Sequence, residues 1–280
     1  MSTRIPTLTQ KQVTAFLKPR PRDSHKGMFG TVMVIGGANG MVGAPLLAAR
    51  AALKLGAGSV HVGLLADNAP SVDMQQPELM LHSDAINLPK LDVIAIGCGL
   101  GHDLAAQKIL YETLKLNTPL VLDADALNIL ALHADLQTLV AARKVATVMT
   151  PHPGEAARLL GCITDEIQAA RTESAQQLAE KFQCSVVLKG ADSVCVTRAG
   201  KIVLNKTGNP GMSSSGMGDV LTGMIAAFIA QGLDADDALL LAVHLHGAAG
   251  DALAQQGITI GMTASEVTDW ARWLLNQWVG

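Results

Sequence analysis

Short, uninterrupted apolar runs recur along this chain, and most end in glycine or a polar turn before a helical stretch. Thr31–Ile35 runs into Gly36-Gly37 and then a helix near Pro45–Leu55. Ser59–Leu64 follows a break at Gly56 to Gly58. Val93–Ile96 runs into Gly97-Cys98-Gly99-Leu100-Gly101, and Leu120–Leu122 ends in Asp123. Ala146–Met149 ends at Thr150-Pro151-His152, and Val186–Leu188 ends in Lys189-Gly190. Runs with no polar alternation fit strands buried on both faces, and their alternation with helices predicts an α/β fold with a parallel sheet. Ligands of such sheets bind beyond the carboxyl ends of the strands. The glycines and polar residues above all fall at those ends, so they are candidates to line one cleft.

The stretch after Lys189 differs. Ser193–Thr197 and Lys201–Leu204 flank Arg198-Ala199-Gly200 and read as a β-hairpin. Two very apolar helices, Val220–Ala230 and Ala235–Ala254, follow. A last helix near Ala264–Trp278 carries Trp270, Trp273 and Trp278, read as core or subunit contact. Neither a linker nor an internal repeat is visible, so residues 1–280 are expected to form a single domain.

The bulk composition narrows the class. Hydrophobic residues make up 49% and charged residues 16%, which gives a large core and a lean charged surface. That surface favours self-assembly into a homo-oligomer, for instance a tetramer. The net charge of −3 comes with no basic stripe, which argues against nucleic acid as a partner. The cysteines Cys98, Cys162, Cys184 and Cys195 form no Cys-x-x-Cys pair, and Cys98 and Cys195 lie in apolar runs as small core residues. No secretory signal precedes the polar N-terminus, and the apolar run Val220–Ala230 is too short to span a bilayer. The expectation is a cytoplasmic enzyme with no membrane partner.

The strongest chemical signal is Gly208-Asn209-Pro210-Gly211-Met212-Ser213-Ser214-Ser215-Gly216-Met217-Gly218-Asp219, immediately before an apolar helix. A helix N-terminus offers free N–H groups and a partial positive charge, and glycines let a phosphate approach that backbone. A carboxylate at the same place can take a proton while the N–H groups hold the anion, a pairing suited to phosphoryl transfer. The plainer reading makes Asp219 an ordinary helix cap; the density of glycine and serine around it favours function.

Other strand ends add candidates. In Thr150-Pro151-His152-Pro153-Gly154-Glu155, two prolines fix the backbone and His152 and Glu155 are expected at the cleft edge. Lys189-Gly190-Ala191-Asp192-Ser193 is a turn whose lysine either meets a phosphate or is a solvated loop residue. Gly36-Gly37-Ala38-Asn39-Gly40-Met41-Val42-Gly43-Ala44, with Asp67 after the next strand, is spaced GxxGxxG, which is neither a dinucleotide fingerprint nor a Walker loop, and reads as substrate-side backbone. Asp123 could face a metal or phosphate, while Asp125 could equally be a helix cap. His244 and His246 are two apart on a helix and do not share a face, which makes them poor metal ligands.

Taken in order, these segments resemble the ADP-dependent NAD(P)H-hydrate dehydratase family, across His25-Lys26-Gly27 to His246-Gly247-Ala248. The resemblance implies a ribokinase-like fold, a central mostly parallel sheet flanked by helices on both faces. It also implies metabolite repair: a lyase restores NADH and NADPH from their hydrates, NADHX and NADPHX, while ADP as co-substrate becomes AMP and phosphate. Asp219 matches the family's base, which deprotonates the hydrate hydroxyl so that its oxygen takes the β-phosphoryl group. Gly216 and Gly218 match the anion hole, and Gly218 with Lys189, Gly190, Ala191, Asp192 and Ser193 matches the nucleotide contacts. Ala44, Gly99, Gly101 and His152 match positions lining the hydrate site, and Glu155 a magnesium-linked glutamate that acts through water. Departures are Ser215 and Met217, where a common family form has glycine and threonine, and Cys98 in place of a frequent proline. The resemblance further implies no fused epimerase domain, so that an epimerase partner would be a separate protein. The alternatives are an ATP-dependent kinase of a small alcohol such as a vitamin precursor, and a non-catalytic nucleotide-binding regulator.

Overall fold

Along the first strand, Val32 and Val34 face one way, Met33 and Ile35 the other, and all four are buried. A strand that finds apolar partners on both sides belongs inside a covered sheet. The computed structural model describes residues 5–83 and 90–279. Its strands are β1 (Thr31–Gly36), β2 (Ser59–Leu64), β3 (Met80–His82), β4 (Val93–Ile96), β5 (Leu120–Leu122), β6 (Thr147–Met149), β7 (Ser185–Leu188), β8 (Ser193–Val196) and β9 (Ile202–Asn205). They form one sheet in the order β3-β2-β1-β4-β5-β6-β7-β8-β9. All pairings from β3 to β7 are parallel, and the expected hairpin β8–β9 continues the sheet antiparallel.

Helices cover both faces. After the short α1 (Gln10–Thr14), α2 (Gly43–Lys54) lies on the face of Val32, Val34, Val60 and Val62. The other face, with Met33, Ile35, Ile94 and Ile96, is covered by α3 (Leu104–Leu114), α4 (Ala124–Leu132), α5 (Ala134–Ala142), α6 (Pro153–Leu160), α7 (Thr164–Ala169) and α8 (Arg171–Phe182). The chain then returns to the first face with α9 (Met217–Ala230), α10 (Ala235–Gln255) and α11 (Ala264–Val279). Every residue of α9 from Val220 to Ala230 is buried, as expected of a helix apolar all round. It packs backbone to backbone on α2: a Cβ added at Gly223 would sit 2.0 Å from the Ala48 carbonyl oxygen.

The strand order places the cleft. From β1 the chain moves outward to β2 and β3, then returns to lay β4 on the other side of β1. The loops that leave β1 and β4 therefore part to opposite faces and open a crevice at their carboxyl ends. Gly97 lets the neighbouring loops interleave there. Its φ is +128°, and a Cβ would lie 1.8 Å from the Asp123 carbonyl oxygen.

Two features were absent from the sequence reading. β3 is three half-buried residues at the sheet edge, too short to form an apolar run. At the opposite edge, Leu8 N–H donates to the Leu204 carbonyl at 2.8 Å and Leu204 N–H to the Pro6 carbonyl at 2.9 Å, so the N-terminal segment covers β9, a common protection for an exposed edge. Among the described residues no helix is long and apolar enough to cross a membrane.

Candidate active site

Gly216 takes the left-handed conformation (φ +91°) and caps α9 by its backbone. The chain thus turns abruptly from the Gly208–Ser215 loop into the helix, and the N–H groups of Met217, Gly218 and Asp219 fall in the first turn, where no intrahelical acceptor exists. Asp219 is third in the helix and makes no side-chain cap, which removes the plain capping explanation. Its carboxylate instead points at the strand ends, where one of its oxygens, the Cys98 Sγ and an Asp123 oxygen lie within 4.8 Å of one another. Burial pushes Asp219 up to about 6. The nearby Cys98 thiol and Lys189 pull against this, while Asp123 and Asp125 add to it. A carboxyl group so placed is a base poised close to neutral pH.

Asp123, at the end of β5, is 1% exposed and fully engaged. Its Oδ1 accepts from Lys189 Nζ at 2.7 Å and its Oδ2 from Thr222 Oγ1 at 2.8 Å. Burial alone would raise its pKa, but Lys189, Thr150 and Thr222 outweigh burial and hold it below the ordinary carboxylate value. Asp125 is not a helix cap: its Oδ2 accepts from the Gly101 N–H at 2.9 Å, tying the β4 loop to α4.

Lys189 is no solvated loop residue. It is drawn in between Asp123 and Glu155, the latter at 3.8 Å, and their charges more than offset the burial that would lower its pKa. Its Nζ also stands 3.3 Å from where a Cβ would project on Gly218, so a fixed positive charge overlooks the first turn of α9. Glu155, 4% exposed, is raised by burial against the pull of Lys189. Its Oε2 accepts the His152 N–H at 2.7 Å. The His152 ring, through Nδ1, accepts from the N–H groups of Gly154 (3.0 Å) and Glu155 (3.3 Å). His152 thus caps α6, and burial, with Lys189 and Arg158 nearby, keeps it neutral by lowering its pKa.

A cleft of about 550 Å³ is lined by Lys189, Gly190, Ala191, Ser193 and Gly218, with His152 and His246 also in its wall. Four of the five residues expected in the β7–β8 turn line it; Asp192 and the cap Gly216 are not in its wall. The β1 and β4 loops meet at their strand ends. Ala38 N–H donates to the Gly99 carbonyl at 2.8 Å, and Cβ atoms added at Gly99 and Gly101 would touch Met41, Ala44 and Ala38. Ala44, Gly99 and Gly101 are thereby brought together beside Cys98. Asn39 Nδ2 donates to Asp67 Oδ2 at 3.0 Å, which ties the β1 loop to the segment after β2.

The sequence reading missed three participants. Cys98, read as core, is a buried core residue, and its Sγ also lies within 4.8 Å of an Asp219 oxygen; its glycine neighbours at a strand end were the available signal for the second feature. Thr222 lies one turn beyond Asp219 on the same helix face, a spacing that could have paired them. Thr150 helps hold Asp123. His244 is a core residue, bonded to Asn205 Oδ1 at 3.1 Å.

Among the described residues, a mostly parallel sheet of nine strands covered by helices on both faces is the ribokinase-like fold. A crystal structure of a ribokinase-like superfamily protein from Enterococcus faecalis superposes with TM-score 0.86 at 28% identity, over 98% of this chain and 96% of that one. The chain belongs to the NAD(P)H-hydrate dehydratase family, whose profile matches residues 32–272. The ADP-dependent (S)-NAD(P)H-hydrate dehydratase of Neisseria meningitidis serogroup B is 43% identical over 93% of this chain and 90% of its own length. The Bacillus subtilis ADP/ATP-dependent NAD(P)H-hydrate dehydratase, co-crystallised with ATP and Mg²⁺, superposes with TM-score 0.88 at 31% identity over 99% of this chain and 100% of that one. The bifunctional NAD(P)H-hydrate repair enzyme Nnr of Escherichia coli is 40% identical over 95% of this chain, which spans 51% of that relative.

Proposed function

We propose that this protein is an ADP-dependent dehydratase of NADHX and NADPHX that restores NADH and NADPH and releases AMP and phosphate. The observation that carries this reading is the buried Asp219 carboxylate, raised to about 6, set in the first turn of α9 beside the Lys189 ammonium. Ala44, Gly99, Gly101 and His152 are read as the hydrate side. Lys189, Gly190, Ala191, Asp192, Ser193, Gly216 and Gly218 are read as the nucleotide side. The hydrate hydroxyl then lies against Asp219, with the β-phosphate at the first turn of α9.

Asp219 takes the proton of the hydroxyl as its oxygen attacks the β-phosphorus. The bond from that phosphorus to the bridging oxygen breaks, and AMP leaves with the electron pair. The negative charge that moves onto the transferring group is met by helix N–H groups and by Lys189, which are already oriented and need no rearrangement. The ring carbon then loses phosphate with the C–O electron pair, a neighbouring C–H pair forms the double bond, and that proton is released. The sum is hydrate plus ADP giving NAD(P)H, AMP and phosphate.

Mg²⁺ fits the residues present. Magnesium keeps several waters and binds through carboxylates and substrate phosphates. Glu155 is a buried oxygen donor whose oxygens His152 already engages, which suits contact with a magnesium-bound water. Bound there, the ion would supply neutralising charge to the phosphates. Cys98, a soft thiol, is no magnesium ligand.

The single sheet and its covering helices support reading residues 1–280 as one catalytic domain. We read it as a cytoplasmic enzyme that assembles as a homo-oligomer, consistent with its sparse surface charge. The test is incubation with NADH hydrate and either ADP or ATP, following NADH absorbance and nucleotide products. ADP is expected to support the faster turnover, with AMP appearing in step with NADH. Faster restoration of NADH with ATP, yielding ADP, would overturn the preference for ADP, and no NADH restored with either nucleotide would favour the small-alcohol kinase instead.

A further inference from the structure

Cys98 sits in the turn that leaves β4, 1% exposed, with its carbonyl accepting the Gly37 N–H at 3.2 Å. The turn is pinned on both sides. Gly97 lies against the Asp123 backbone, and Gly99 lies against Met41 and Ala44. The thiol sulfur is thereby held within 4.8 Å of a carboxylate oxygen of Asp219 and of one of Asp123.

We propose that Cys98 is a positioning residue for the base: its buried thiol donates a hydrogen bond to the Asp219 carboxylate and holds it in the orientation and ionised form that proton abstraction requires. This rests on the reading of Asp219 as the base. A thiol is a weak donor in water, but inside a protein a donor to a charged group is worth more than one between neutral groups. It can serve only while protonated. Burial, followed by the charges of Asp219 and Asp123, holds the Cys98 thiol well above its usual range, so the proton stays on sulfur throughout the working pH range.

Four charged or polar groups act most strongly on Asp219. Asp123 at the end of β5 and Asp125 in α4 oppose its ionisation, while Lys189 after β7 and Cys98 after β4 favour it. Lys189 is shared with Asp123 and Glu155. Cys98 thus supplies a hydrogen bond to the base itself, where Lys189 acts on it through charge.

The experiment compares the parent with Cys98→Val, Cys98→Ala and Cys98→Ser. Val and Ala remove the donor, one with added bulk and one with a small void, and Ser restores a donor. Losing one hydrogen bond to the charged form is expected to move the Asp219 titration up by about half to one pH unit in both donorless variants. Ser should titrate at or below the parent. The readouts are the acid limb of kcat/KM and the ¹³C carboxyl resonance of Asp219 in side-chain-labelled protein, assigned as the signal missing from Asp219→Asn. Because the resonance is read without substrates, it still decides the proposal if NADHX and ADP are not turned over, an outcome that would overturn the functional reading alone. A carboxyl titration unchanged in both Val and Ala, or equally raised in Ser, would overturn the role given to Cys98.

Discussion

Lys189 and Asp123, 66 residues apart in sequence, meet at 2.7 Å at the ends of β7 and β5, and this pair places a positive charge over Gly218. Removing one partner of a buried pair leaves the other charge without compensation. Lys189→Met is expected to lower folding stability by about 3–5 kcal/mol and to weaken ADP binding. The double variant Lys189→Met with Asp123→Asn should recover most of the stability in a urea titration but not the ADP affinity measured by calorimetry. Recovery of both would make the pair purely structural.

Asp219→Asn tests the base. General-base catalysis is typically worth about 10²- to 10⁴-fold, so kcat is expected to fall by at least roughly 10²-fold with nucleotide binding retained. The capping of α9 by Gly216 is untouched. A buried carboxyl whose folded pKa is raised contributes stability that is present below its unfolded pKa and lost as pH rises through the folded one, at about 6. Above that pH the ionised Asp219 is a burden that the amide lacks. Thermal unfolding at pH 7.5 should show a Tm equal to or above the parent's. Near-parental turnover would remove Asp219 from the chemistry.

The pH profile follows from the same group. With Asp219 at about 6, kcat/KM should fall about tenfold per unit on the acid side of that value and level off above it. A profile flat from pH 5 to 8 would contradict ionised Asp219 as the working form.

His152 has two roles that substitution can separate. Its ring caps α6 through Nδ1, so His152→Ala should cost about 0.5–2 kcal/mol, while His152→Asn, a good cap, should restore most of it. Both should raise KM for the hydrate more than KM for ADP. Steady-state kinetics showing the reverse would assign the ring to the nucleotide, whose cleft it also borders.

Much of the fold was legible because strands buried on both faces need runs without polar alternation. β1, β2, β4 and β5 could be read from such runs, and the wholly apolar α9 from its composition. The glycine segment before α9 pointed to Asp219 because a helix N-terminus beside a carboxylate is a local arrangement, complete within a dozen residues. β3 escaped because three half-exposed residues leave no pattern, and its pairing is decided by the neighbouring β2.

What only the tertiary structure decided lies between segments. Sequence presented Lys189 as phosphate ligand or loop residue, Asp123 as ligand or neighbour of a cap, and Cys98 as core. The strand order set the ends of β4, β5 and β7 against one helix terminus, and each side chain then took its meaning from groups 66 to 99 residues away in the case of Lys189, Asp123 and Thr222. Spacing along a chain reports which residues share a strand end or a helix face. Ion pairing, desolvation and the resulting proton affinity depend on distances across the sheet, and these exist only once the strands have been ordered.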